Sequence, residues 1–122
     1  MLKGRTVLIV ETEALIAIDI QSTLESAGAA ETIIAFSATE ALKLAEHWAG
    51  AALAVVEVEQ NRHDLLALIR TVVQSGIPTV CISADSRLTA GLPGLPNVRV
   101  LAKPVPEETL LEAARQAQLP SR

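Results

Sequence analysis

The side chains able to do chemistry in this sequence are few, and most lie in settings that keep them idle. Its one cysteine, Cys81, falls inside the apolar run Pro78–Ile82, where a free thiol behaves as a small core hydrophobe rather than a nucleophile. Alone it makes no intramolecular disulfide and no cysteine-based zinc site. The two histidines, His47 and His63, are not spaced as metal ligands and fall near the ends of predicted helices, which reads as surface placement. No glycine-rich loop follows the first apolar run, and no P-loop lysine, Ser–His or Cys–His arrangement is present. What remains is a set of residues that close successive apolar runs. Glu11, Thr12 and Glu13 follow the first, Glu57 and Glu59 end the third, Ser83 and Ala84 follow the fourth, and Lys103 with Pro104 follows the fifth. Carboxylates, hydroxyls and an ammonium make up the set, and they act together only if the fold gathers them.

The elements that would gather them alternate strictly. Short runs rich in Val and Ile occupy Thr6–Val10, Thr32–Phe36, Ala52–Val58, Pro78–Ile82 and Val98–Leu101. Most are continuously apolar, as strands are when helices cover both faces. Helical spacing fills the gaps. Ala14–Ala27 puts Ile16, Ile20 and Leu24 on one face; Ser37–Trp48 opens with Ser37 and Glu40 spaced as a capping box; His63–Gln74 carries Leu65, Leu66, Ile69, Val72 and Val73. The last helix, Pro106–Gln118, starts with Pro106 in its first turn and sets Glu107 and Glu108 where the helix dipole favours carboxylates. Asp85–Asn97 breaks the pattern, because Gly91, Pro93, Gly94 and Pro96 forbid a long regular helix and leave at most a turn around Arg87–Ala90. Alternating β and α elements predict an α/β fold: a flavodoxin-like, doubly wound, five-stranded parallel sheet of order 2-1-3-4-5, with a short or irregular fourth helix. In that architecture ligands bind beyond the carboxyl ends of the strands, where the polar set lies.

Bulk properties narrow the classes further. The 122 residues suit a single domain, with its core at about residues 5–118, and half of them are hydrophobic. A net charge of −4 argues against a general nucleic-acid or anionic-membrane surface. With Trp48 and Phe36 as the only aromatics, base stacking has almost nothing to use. Charge interrupts every apolar run well short of the ~20 residues of a membrane span. The run behind the first five residues is also too short for a signal peptide. A cytoplasmic protein is expected, and the initial Met and the Leu-Pro-Ser-Arg ending read as a short complete chain.

Four segments, Val-Leu-Ile-Val-Glu-Thr-Glu (7–13), Val-Val-Glu-Val (55–58), Pro-Thr-Val-Cys-Ile-Ser-Ala (78–84) and Leu-Ala-Lys-Pro (101–104), resemble in order and spacing the signature segments of two-component response-regulator receiver (CheY-like) domains. The resemblance covers about residues 5–118 and implies a phosphoryl-transfer pocket. In that family an acidic pair after the first strand and an Asp on the third hold Mg²⁺, and that Asp takes a phosphoryl group from a histidine kinase. A Ser or Thr after the fourth strand and a Lys before a Pro then bind the phosphate. Here Glu11 matches the first acid, but Thr12 replaces the second, removing a carboxylate from a site that holds a hard cation by oxygen charge. Glu57 stands at the acceptor position, its carboxylate about 1.5 Å further out by the extra carbon–carbon bond, enough to upset a reacting geometry. Ser83, Lys103 and Pro104 match. Val100 replaces the aromatic that usually swings with the signal.

The resemblance therefore implies a degenerate pocket, with no cofactor and weak or absent Mg²⁺ binding. Three readings of Glu57 stay open: an inert carboxylate paired with Lys103, a mimic of the phosphorylated state reaching toward Lys103 and Ser83, or residual metal-dependent phosphorylation. Val100 argues against the mimic. Glu13 and Glu59 read as rim or solvent residues, with Glu13 also placed to favour the first helix's dipole. Trp48 reads as a helix-end residue covering the core, against the alternative of a partner contact. Leu92 and Leu95 read as capping the core where a helix is missing. The expected function is a stand-alone, non-enzymatic signalling module that docks on a protein partner: a histidine kinase, phosphorelay or output protein. A homodimer is also open, through Leu88–Leu95, Val98–Leu101 and the exposed side of Glu107–Gln118. No nucleic acid and no membrane is expected as partner. The alternatives are a small flavodoxin-like enzyme or nucleotide-binding protein, and a fragment of a larger kinase or regulator.

Overall fold

The computed structural model describes residues 2–120. Five strands, β1 (Thr6–Val10), β2 (Glu31–Ala35), β3 (Leu53–Glu57), β4 (Thr79–Ser83) and β5 (Arg99–Ala102), form one parallel sheet in the order β2-β1-β3-β4-β5. The helices are α1 (Ala14–Ser26), α2 (Ala38–Lys43), α3 (Ala45–Trp48), α4 (His63–Gln74) and α5 (Glu107–Ala117). Every residue of β3 and β4 is buried, as continuously apolar strands require when both faces are covered. Successive side chains divide between the faces. Val7, Ile9, Val55 and Ile82 join Ala17, Ile20 and Leu24 of α1 and Leu110 and Ala113 of α5. Leu8, Val10, Val56 and Cys81 join Trp48 and Leu65, Leu68, Ile69 and Val72 of α4. Truncating a fully buried member such as Leu8 to Ala costs about 2–5 kcal/mol by lost transfer energy and the cavity left.

The structure departs from the sequence reading in its boundaries and in one helix. β4 and β5 each start and end one residue later than the apolar runs, so Ser83 is the last residue of β4. The single helix expected over Ser37–Trp48 is broken at Leu44 (φ −98, ψ 11) into α2 and α3. The Trp48 indole N–H donates to the Ala41 carbonyl at 2.7 Å, satisfying an acceptor at the break while the ring goes into the core. Ser37 does cap α2, accepting from the Glu40 N–H at 3.0 Å, but the Glu40 carboxylate returns the bond to the Phe36 N–H rather than to Ser37. Pro106 is the cap residue of α5 rather than its first helical residue.

The β4–β5 connection holds a single 3₁₀ turn, Ser86–Ala90, started by Asp85, whose side chain accepts from the Arg87 N–H. Beyond it Leu92 and Leu95 form an isolated bridge and pack on the core in place of a helix. Gly28, in the turn between α1 and β2, cannot be replaced without strain: its φ is +106, and a Cβ would lie 3.0 Å from the Lys3 Cα. No helix among the described residues is long and apolar enough to cross a membrane.

Candidate functional site

The carboxyl ends of β1, β3 and β5 bring Glu11, Thr12, Glu57 and Lys103 together. Glu11 follows β1 directly and is fully buried. Its Oε2 accepts from the Glu13 N–H at 2.9 Å, and its Oε1 lies 2.7 Å from Lys103 Nζ. That contact is an ion pair rather than a well-aligned hydrogen bond, and Oε1 has no other partner. The same ammonium donates to Glu57 Oε2 at 3.1 Å. The other Glu57 oxygen accepts both the Thr12 N–H at 3.0 Å and the Thr12 hydroxyl at 2.8 Å. One ammonium thus serves two carboxylates. Backbone amides at the start of α1, where the helix dipole is positive, offset the remaining charge.

Burial works to raise the Glu57 pKa, but the bonds from the Thr12 amide and hydroxyl and from Lys103 outweigh it and hold the carboxyl below its ordinary range. For Lys103, burial works to lower the pKa, and the Glu11 and Glu57 carboxylates outweigh it and raise the net value. Both groups are charged at neutral pH. Cys81 is idle in the core: burial pushes its thiol up to about 12.

Ser83 does not join this cluster. Its hydroxyl donates to Glu59 Oε1 at 3.1 Å and accepts from the Asp85 N–H at 3.0 Å, while the Ala84 N–H donates to Glu59 Oε2 at 3.2 Å. Glu59 is at the rim, as its position suggested, but it is engaged there rather than solvated. The strand register places it there: with Glu57 level with Ile82 and the Val58 N–H continuing the ladder to the Ile82 carbonyl, Glu59 falls opposite the end of β4 by the two-residue strand period. Pro104 is exposed and follows a cis peptide bond from Lys103. Val100 is 4% exposed and packed within the α4-side core, so nothing at that position is free to swing. His47 and His63 are exposed and Trp48 is buried, as read from the sequence.

Solved structures that resemble the chain over nearly its whole length include the following three. One is a response regulator receiver protein from Sinorhizobium medicae WSM419, 24% identical, covering 97% of each chain with a TM-score of 0.75. Another is a sensor protein from Polaromonas sp. JS666, 25% identical, covering 93% of this chain and 95% of that one with a TM-score of 0.77. A third is a response regulator receiver domain (CheY-like) from Methylobacillus flagellatus, 20% identical, covering 94% of this chain and 99% of that one with a TM-score of 0.74. No protein-family model matches the sequence, and no curated protein matches it. The fold is the receiver fold of response regulators, a flavodoxin-like parallel sheet with helices on both faces. Within it this chain carries Glu57 at the end of β3 and Thr12 after β1, tied to each other.

Proposed function

We propose that the chain is an atypical receiver module of two-component signalling that acts by docking on a protein of a phosphorelay and is not phosphorylated at Glu57. One observation carries the reading: both oxygens of Glu57 are engaged, one by Thr12 and one by Lys103. Three hydrogen bonds fill most of the roughly four lone-pair sites of the carboxylate and share its charge with an ammonium, which blunts it as a nucleophile. The donor set is equally unsuited to Mg²⁺, which asks for several oxygens of high charge in octahedral array. Glu11 is spent on Lys103 and the Glu13 amide, and a neutral Thr12 supplies no charge. No three of the His, Cys, Asp and Glu residues described are grouped to hold a metal ion. The mimic reading is weakened as well, because Glu57 reaches Lys103 but not Ser83, whose hydroxyl is taken by Glu59.

The docking face expected with α5 is mixed: Leu92, Val98, Val100 and Leu101 are buried, Leu88 and Leu95 are half-buried, and Thr89, Ala90, Pro93 and Arg99 are exposed. Leu15 and Ile18 of α1, 81% and 52% exposed, offer a second surface to test for a partner. The decisive experiment on the pocket adds acetyl phosphate or beryllofluoride with Mg²⁺ and follows intact mass and the amide spectrum around Glu57. No change is expected. A stoichiometric adduct refutes the proposal.

A further inference from the structure

We infer that Glu59 is the internal ligand of an oxyanion site formed by the Ser83 hydroxyl and the Ala84 amide, so that the chain keeps this site filled with its own carboxylate. The two donors are adjacent, and each holds one oxygen of the same carboxylate, at 3.1 and 3.2 Å. Ser83 is fully buried, and its oxygen already accepts from the Asp85 amide, which fixes its hydroxyl proton toward Glu59. A hydroxyl and an amide converging on two oxygens of one anion are what an oxyanion ligand requires.

The backbone aims Glu59 at these donors. A tight turn closes from the Glu59 carbonyl to the Arg62 N–H at 3.2 Å, with Asn61 at φ +66, a conformation Asn tolerates better than most residues. The next residue continues the tie: the Arg87 guanidinium donates to the Gln60 side chain at 2.7 Å, and Asp85 holds that guanidinium in place. Residues 59–60 thus bind the segment 83–87 from across the sheet edge. An outside anion must displace a covalently tethered one, and its apparent affinity falls by the fraction of time the site stands open.

This inference deepens the receiver reading and rests on it for the class of anion, a phosphate-like oxyanion. The test titrates inorganic phosphate, without Mg²⁺, into the wild type, Glu59→Ala and Glu59→Gln, following the Ser83 and Ala84 amide signals. The wild type is expected to show no saturable shift up to millimolar phosphate. Glu59→Ala should bind about tenfold or more tighter than any wild-type response, as expected when a site filled nine-tenths of the time is opened. Glu59→Gln, which removes the charge but keeps the shape, guards against a folding defect in the alanine variant and should also gain binding. Adding Ser83→Ala to Glu59→Ala should abolish the gain. Equal binding by wild type and both variants, or none in any of them, overturns the inference. Neither result touches the proposal that Glu57 is not phosphorylated, which falls if Glu57 takes up a phosphoryl group in the separate acetyl phosphate experiment.

Discussion

Two carboxylates of one strand end, Glu57 and Glu59, meet opposite fates within two residues. Glu57 is 5% exposed and shares an ammonium with the fully buried Glu11, so its charge is answered by charge. Glu59 is half-buried and answered by two neutral donors. A charge pair out of water is costly to break, because the partner left behind is both desolvated and alone. A rim carboxylate that loses its donors is rehydrated at once. The first arrangement therefore holds the fold together, and the second sets what the rim can accept. Similar chemistry does different work according to depth.

The contrast is sharpest at Lys103. Replacing it with Met leaves Glu11 Oε1 with no partner and Glu57 with only Thr12, and the expected loss is about 3–5 kcal/mol in urea unfolding. A loss below about 1 kcal/mol would mean that water reaches the cluster and that depth is not what separates the two sites. Glu57→Gln should cost less, about 1–3 kcal/mol, because its side-chain carbonyl still accepts from Thr12 and Glu11 still neutralises Lys103. The pH dependence of stability gives an independent reading of the same pair. The Glu57 pKa is lowered in the fold, so its contribution is present above the ordinary value of 4.5 and is lost as pH falls through the lower folded value. The Lys103 pKa is raised, so its contribution is full below 10.5 and is lost as pH rises through the higher folded value. Thermal melts across pH should show both limbs. Glu57→Gln should flatten the acid limb, and Lys103→Met should remove the alkaline one.

Much of this was legible in the residues, and the illegible parts have particular causes. The sheet order followed from alternating elements and the burial of their strands, since a run such as Leu53–Glu57 without polar alternation needs cover on both sides. The gathering of Glu11, Thr12, Glu57 and Lys103 followed from where the strands end. Individual bonds did not. Whether Ser83 turns to Glu57 or Glu59 depends on the rotamer of one side chain and on a turn whose positive φ at Asn61 has no unique sequence mark. The break at Leu44 was hidden for a similar reason: helical periodicity runs through it, and the Trp48 indole that satisfies Ala41 acts from seven residues away. Local pattern carries the elements, while contacts between distant side chains decide the details.

The smallest effect on stability is expected at Glu59, and there the comparison is most exposed to refutation. Glu59→Ala removes a carboxylate whose donors can turn to water, so the loss should stay under about 1.5 kcal/mol. The local consequence should be larger than the global one. Without Glu59, the Ala84 amide loses its acceptor, and the segment 83–87 keeps only Gln60 as its tie to the turn after β3. Hydrogen exchange at Ala84 should therefore accelerate while exchange in β3 and β4 stays as slow as in the wild type, since local opening needs no unfolding of the sheet. Lys103→Met should do the reverse, speeding exchange throughout the sheet by lowering global stability. If instead Glu59→Ala destabilises the whole domain as strongly as Lys103→Met, the rim carboxylate is as structural as the buried one, and depth does not divide their roles.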